Sequence, residues 1–201
     1  PIMKRWRERA RHGLLSLLSI SSKPRPGPSL RLVYLHSVLA DQIEAFANQI
    51  GYLLEIGSFL TSAEVLQIVH GERALDKRYF HLSFDDGFRN IISNALPVLR
   101  AHAVPATFFV PTARISAQQS PYSAHGADRS QCPHGAEMAT WRELATAQDA
   151  GLEIASHTRS HARLSEISGS SQRLEDEIFG SKADIEPELG TKCSYISWPF
   201  G

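Results

Sequence analysis

The chain has 201 residues, 42% of them hydrophobic and 21% charged, ordinary proportions for a globular protein with one substantial core. Basic and acidic residues number 21 each, so no net field favours a nucleic acid or an acidic polymer as partner. Two cysteines, Cys132 and Cys193, are too few for a disulfide framework, and no apolar run approaches the roughly 20 residues of a membrane-spanning helix.

At the N-terminus, Lys4, Arg5, Arg7, Arg9 and Arg11 precede an apolar stretch from Leu14 to Ile20. Serines interrupt that stretch and no small-residue cleavage site follows it. A basic amphipathic helix able to touch a membrane surface therefore competes with a signal peptide. A cytoplasmic or membrane-associated location is favoured over secretion. Lys23 to Pro28 reads as an extended proline-rich linker, so residues 1–29 are set apart from a domain expected over 30–201. Nothing in the sequence marks an oligomeric state.

Leu30 to Leu35 has the pattern of a buried strand ending in His36-Ser37. From Asp41 to Ile56, Ile43, Phe46, Ala47, Ile50, Leu53 and Leu54 recur at helical spacing. Phe59 to Ser62 reads as a short strand and an N-cap before a helix from Ala63 to Val69. A second apolar strand, Tyr79 to Phe84, runs into Asp85-Asp86-Gly87. A helix is expected from Phe88 to His102, with Pro97 imposing a kink or a late start. Ala106 to Val110 is a strand, and Pro111 to Ala139 has no periodicity and reads as a long loop. Thr140 and Glu143 form a capping-box pattern before a helix reaching about Ala150. Leu152 to Ser156 is a strand, Leu164 to Glu188 is mostly helical with a break expected at Gly180, and Ser194 to Trp198 is a last strand. The alternation argues for an α/β fold with a parallel sheet.

Chemistry gathers after the strands. By itself, Asp-Asp-Gly after a strand is an ordinary turn, with Gly87 permitting the bend. The strand Leu152 to Ser156, however, runs into His157-Thr158-Arg159-Ser160-His161, where two histidines four apart share one face of a helical turn. Such a pair is often coincidental, but here both carboxylates and both imidazoles follow C-terminal strand ends, the edge where barrels and parallel sheets build sites. One aspartate and two histidines make three ligands that leave positions open on a cation.

In combination these residues resemble the polysaccharide deacetylase (NodB-homology) family, carbohydrate esterase family four. Ser83-Phe84-Asp85-Asp86-Gly87 is similar to its Thr-Phe-Asp-Asp-Gly motif, His157 to His161 to its His-Ser/Thr-x-x-His motif, and Pro199-Phe200-Gly201 to its Pro-aromatic-Gly motif. Leu32 to Val38, Pro105 to Val110 and Thr140 to Leu144 resemble further family segments, with Leu35 inserted between Tyr34 and His36. The resemblance implies a distorted (β/α) barrel of the NodB-homology type and hydrolysis of the N-acetyl group of an N-acetylated polysaccharide or oligosaccharide. It implies a divalent metal, Zn2+ first and Co2+, Ni2+ or Mn2+ as alternatives, held by Asp86, His157 and His161. Asp85 would be the general base, taking a proton from a metal-activated water, and the backbone N–H of Phe200 would hold the oxyanion. Pro199 and His36 would lie against the substrate, an N-acetylated glycan.

Two departures accompany the resemblance. Ser197 stands where many relatives carry an arginine that orients the base. The sequence also ends with the third motif, so an incomplete barrel lacking its last strands is expected, and with it a rival reading as a truncated, inactive remnant that binds metal or glycan. His36, His125 and His134 are the candidate substitutes for the family's general acid, His36 the best placed. Hydrolysis of small-molecule amides is a third reading.

Overall fold

The computed structural model of the protein describes residues 27–117 and 137–200. The basic segment at residues 4–20, most of the linker, Cys132, His125, His134 and Gly201 lie outside the described residues. So does most of the expected long loop.

Among the described residues five strands form one parallel sheet: β1 (Ser29–Leu35), β2 (Ser58–Phe59), β3 (Arg78–Phe84), β4 (Ala106–Val110) and β5 (Glu153–Ser156). The order is β1-β3-β4-β5. β2 pairs with the first half of β3 at Tyr79 and Phe80, and β4 with its second half from Leu82 to Phe84. β3 is thus the central strand. Its side chains alternate between two environments, as a pleated strand requires. Leu82 and Phe84 enter the hydrophobic core, whereas His81, Ser83 and Asp85 face a cleft.

The helices pack around this sheet, most of them contributing to the core, and the one at Ser62–Val69 lines the cleft. They are α1 (Ile43–Ile56), α2 (Ser62–Val69), α3 (Leu96–Ala101), α4 (Thr112–Ala117), α5 (Trp141–Asp149), α6 (Leu164–Ile167), α7 (Ser171–Glu175) and α8 (Ser181–Leu189). Phe46 and Ile50 of α1, one turn apart, are the buried stripe of that helix, and the Phe46 ring meets Phe84 edge-on at 6.2 Å. Phe84, Phe88 and Phe108 are fully enclosed. Burying each of these is worth about 1.5–3 kcal/mol relative to exposure. Capping boxes open α2 at Thr61 and Glu64, and α5 at Thr140 and Glu143.

Four local expectations change. The helix after Gly87 contains a π-helical turn at Ile91–Ala95, whose cap N–H on Leu96 reaches Ile91. Pro97 comes directly after it and has no N–H to give, so the wider turn takes up the missing bond. No break falls at Gly180, because a second π-helical turn, Asp176–Gly180, runs on into α8. There the glycine serves close packing: a Cβ would meet Arg159 Cδ and Asp176 Oδ1 at 3.1 Å each. The stretch expected to be all loop begins with a helix, α4. Ser194 to Trp198 is not a strand and makes one parallel bridge, Ser156 to Ile196, through Ser156 N–H to the Tyr195 carbonyl and Ser197 N–H to the Ser156 carbonyl. Among the described residues the sheet does not close into a barrel. Leu32 and Tyr34 of β1, on the cleft side, stay 66% and 64% exposed.

Candidate active site

The cleft lies on the open face of the sheet, has a volume of about 920 Å³, and is lined at its carboxyl end by His36, Asp85, Asp86, His157, His161 and Phe200. All but Phe200, which follows the single bridge at Ile196, come from a strand end or the turn just beyond it. Asp85 follows β3, and its N–H donates to the Leu35 carbonyl at 3.0 Å, extending the β1–β3 ladder by one bond. The chain then turns sharply, with Asp86 at φ 73° and Gly87 at φ 77°. That reversal presents adjacent carboxylates to the same cleft, which an extended strand would send to opposite faces.

The histidines converge by a different route from the expected helical turn. Residues 157–161 form an irregular loop in which Thr158 and His161 both have φ 63°. Five described non-glycine residues have positive φ, and four of them (Asp86, Thr158, His161 and Phe200) belong to this site. Each such backbone costs about 1–3 kcal/mol and persists only where its surroundings hold it. Aspartate tolerates the left-handed region, whereas a β-branched residue such as Thr158 is an outlier there.

Asp86, His157 and His161 are all buried, and one ligand atom from each lies within 4.8 Å of the others. Asp86 Oδ1 is 3.0 Å from His161 Nε2 and 3.6 Å from His157 Nε2. The imidazoles meet edge to face at 4.9 Å, and the Phe200 ring stands edge-on to His161 at 5.1 Å. His157 Nδ1 is 2.9 Å from the Ser197 carbonyl oxygen. A carbonyl only accepts, so this contact puts a proton on Nδ1 and turns Nε2 toward Asp86. Ser197, which lacks the arginine side chain of many relatives, thus contributes through its backbone.

The electrostatics separate the two carboxylates. Burial pushes the Asp85 carboxyl upward, and the nearby His157 and His36 only partly oppose it. Burial also works to raise Asp86, but hydrogen bonds from His157 and His161 overturn it and hold that carboxyl well below the usual range. Burial lowers His161, against the pull of its Asp86 partner. Asp85 Oδ1 is buried and has no hydrogen-bond partner. An orphaned carboxylate oxygen is costly in an interior and marks a place for a further group or water. A buried carboxylate with two imidazoles, one of fixed tautomer, suits a divalent cation, and the unpartnered Asp85 oxygen beside it is consistent with that use.

His36 is exposed at the end of β1, 5.7 Å from the Tyr34 ring, Pro199 is buried, and Phe200 is 58% exposed. Sequence reasoning missed two residues behind the loop. Arg114 and Glu177 are buried, and both bond to its backbone.

The fold and this edge define the class: an α/β protein with an Asp-His-His cluster and a second carboxylate at the carboxyl end of a parallel sheet. The polysaccharide deacetylase family model matches residues 72–201, more than half of the chain, and the chain belongs to that family. Solved structures share the fold. IcaB from Ammonifex degensii is 23% identical, with a TM-score of 0.71 over 87% of this chain and 76% of that one. A de-N-acetylase from Aggregatibacter actinomycetemcomitans is 20% identical, with a TM-score of 0.68 over 85% and 79%. The deacetylase PplD from Streptococcus pyogenes, solved with acetate, is 19% identical, with a TM-score of 0.66 over 87% and 74%. No match was found among curated proteins.

Proposed function

We propose that this protein hydrolyses the N-acetyl group of an N-acetylated polysaccharide or oligosaccharide, with a divalent cation, Zn2+ first, held by Asp86, His157 and His161. The observation that carries the reading is the approach of both imidazole Nε2 atoms to one Asp86 oxygen, next to a second, half-buried carboxylate whose buried Oδ1 is unpartnered. Membership of the deacetylase family and the likeness to IcaB and PplD support it.

When bound, the cation would supply a water of lowered pKa and polarise the acetyl carbonyl. The chain's own residues do the rest. Hydrolysis breaks the amide C–N bond, adds the water oxygen to the acetyl carbon, and leaves acetate and a free amine. Asp85 Oδ1 takes the proton the water gives up, and burial strengthens it as a base by raising its carboxyl. The same proton is available to the departing nitrogen. Phe200, in a left-handed backbone conformation at the cleft, is the proposed oxyanion donor through its N–H. His36 is close enough to Asp85 to draw its carboxyl down and lines the cleft, which supports a role for it against the sugar, whereas Pro199 is buried and does not line the cleft.

The test is acetate release from chitooligosaccharides by the full chain, with Zn2+ and with a chelator. Release that the chelator abolishes and Zn2+ restores is expected. Zn2+ binding without acetate release across N-acetylated glycans would overturn the hydrolytic reading.

A further inference from the structure

The loop that carries His161 is held on both sides by groups outside it. Its three consecutive carbonyls face the start of α4. Thr112 N–H donates to Thr158 O at 3.3 Å, Ala113 N–H to Arg159 O at 2.9 Å, and Arg114 Nε to Ser160 O at 3.0 Å. Its amides face the π-helical turn before α8, where Glu177 Oε2 accepts from Arg159 N–H at 2.9 Å and Ser160 N–H at 2.8 Å. Glu177 Oε1 also accepts from the Ser160 hydroxyl. Arg114 and Glu177 are 6% and 8% exposed, so neither is a surface pair that salt or water would loosen.

We propose that Glu177 and Arg114 are the positioning residues of the cation site, two jaws that hold the 158–160 backbone so that His161 stays on Asp86. The proposal rests on the cation site assigned above, and extends it to residues that touch neither cation nor substrate. The physical need comes from the loop's own backbone. Thr158 and His161 sit at φ 63° on either side of Arg159 and Ser160, a conformation that an unheld chain leaves for the right-handed or extended regions. Either relaxation carries the His161 imidazole away from the Asp86 oxygen 3.0 Å from it. A carboxylate suits one jaw because a single oxygen accepts both amides. A guanidinium suits the other because it can donate to the Ser160 carbonyl while its charge faces both Asp86 and Glu177.

The experiment titrates the full chain with Zn2+ against a chromophoric chelator and records the visible absorption of the Co2+-loaded protein. Wild type is expected to bind, and E177A to bind about 10–100-fold more weakly with an altered Co2+ spectrum. E177Q keeps an oxygen that accepts both amides and is expected to recover most of the affinity. R114M, which leaves the amide jaw intact, is expected to lose about 10-fold. A merely structural role would lower the melting temperature and leave the folded protein's affinity and Co2+ spectrum at wild-type values, and that result overturns the proposal. If E177A does not fold, R114M decides in its place, and wild-type affinity there overturns the clamp. E177Q as weak as E177A would also overturn it, since hydrogen-bond acceptance would not be what matters. A wild-type chain that binds no Zn2+ refutes the site itself, a result distinct from binding that ignores Glu177 and Arg114.

Discussion

Gly87 and Gly71 offer a matched pair for measuring how tightly the carboxylate turn is packed. Their backbones are nearly the same, φ 77° and 76°, so alanine meets the same left-handed penalty at each. That penalty is about 1–2 kcal/mol, offset by about 0.4–1 kcal/mol from the stiffer unfolded chain. Their surroundings differ. A Cβ at Gly71 has nothing within 4 Å, whereas at Gly87 it would meet Ile115 Cδ1 at 2.9 Å, Met138 Cε at 3.1 Å and Pro111 Cδ at 3.2 Å. Methionine yields readily, but the proline ring and the fully buried isoleucine do not. Overpacking of this kind costs about 1–3 kcal/mol, so G87A should be less stable than G71A by about that amount. For a chain of this size the difference is about 2–12 °C in melting temperature, read by calorimetry or circular dichroism on metal-free protein. Urea midpoints would supply the free-energy difference directly. Equal losses in the two variants would refute the claim that packing, beyond backbone angle, demands glycine after Asp86.

Substitution should also divide the site. D86N or H157A should abolish Zn2+ binding in a calorimetric titration, while D85N keeps the ion and loses about 10²–10⁴-fold in acetate release, the usual weight of a general base; unchanged turnover in D85N would remove its assigned role. T140A should cost about 1 kcal/mol in denaturant unfolding, since it removes the hydroxyl that accepts the Glu143 N–H at 3.2 Å. The pH dependence of metal-free stability should have two opposed parts. Asp85 is raised above its usual 3.8, so its contribution is fully present below that pH and is lost as pH climbs through the raised value. D85N should therefore raise the melting temperature at neutral pH and not in acid. Asp86 is depressed, so its contribution is present above 3.8 and fades as pH falls through the lowered value, and D86N should flatten that acid limb.

Particular residues show where sequence reasoning carried and where it failed. Phe46 and Ile50 announced the buried face of α1 by spacing alone, and Thr140 with Glu143 announced a capping box that is present bond for bond. These are local patterns, decided within a turn or two of chain. Pro97 gave notice of irregularity without saying that a π-helical turn would absorb it. The histidine spacing suggested a helical face, yet the loop that brings the rings together is left-handed at Thr158 and His161. Four-residue spacing cannot distinguish the two, because tertiary bonds from α4 and Glu177 choose between them. Nothing in the sequence singled out Glu177 within the stretch expected to be helical.

The sequence by itself determined the alternation of strand and helix, the hydrophobic faces, the helix caps, and the residue types offered at the strand ends, since each follows from short-range sterics and periodicity. Only the tertiary structure decided which side chains meet. Asp86 and His161 are 75 positions apart, and their 3.0 Å contact depends on parallel strand register, on two backbone turns at positive φ, and on a clamp from elements elsewhere in the chain. The separation of the two aspartates is of the same kind. Neighbours in the chain, they acquire opposite pKa displacements because one is left with a buried, unpartnered Oδ1 and the other receives two imidazoles. Burial and partners belong to the folded chain, and no local pattern carries them.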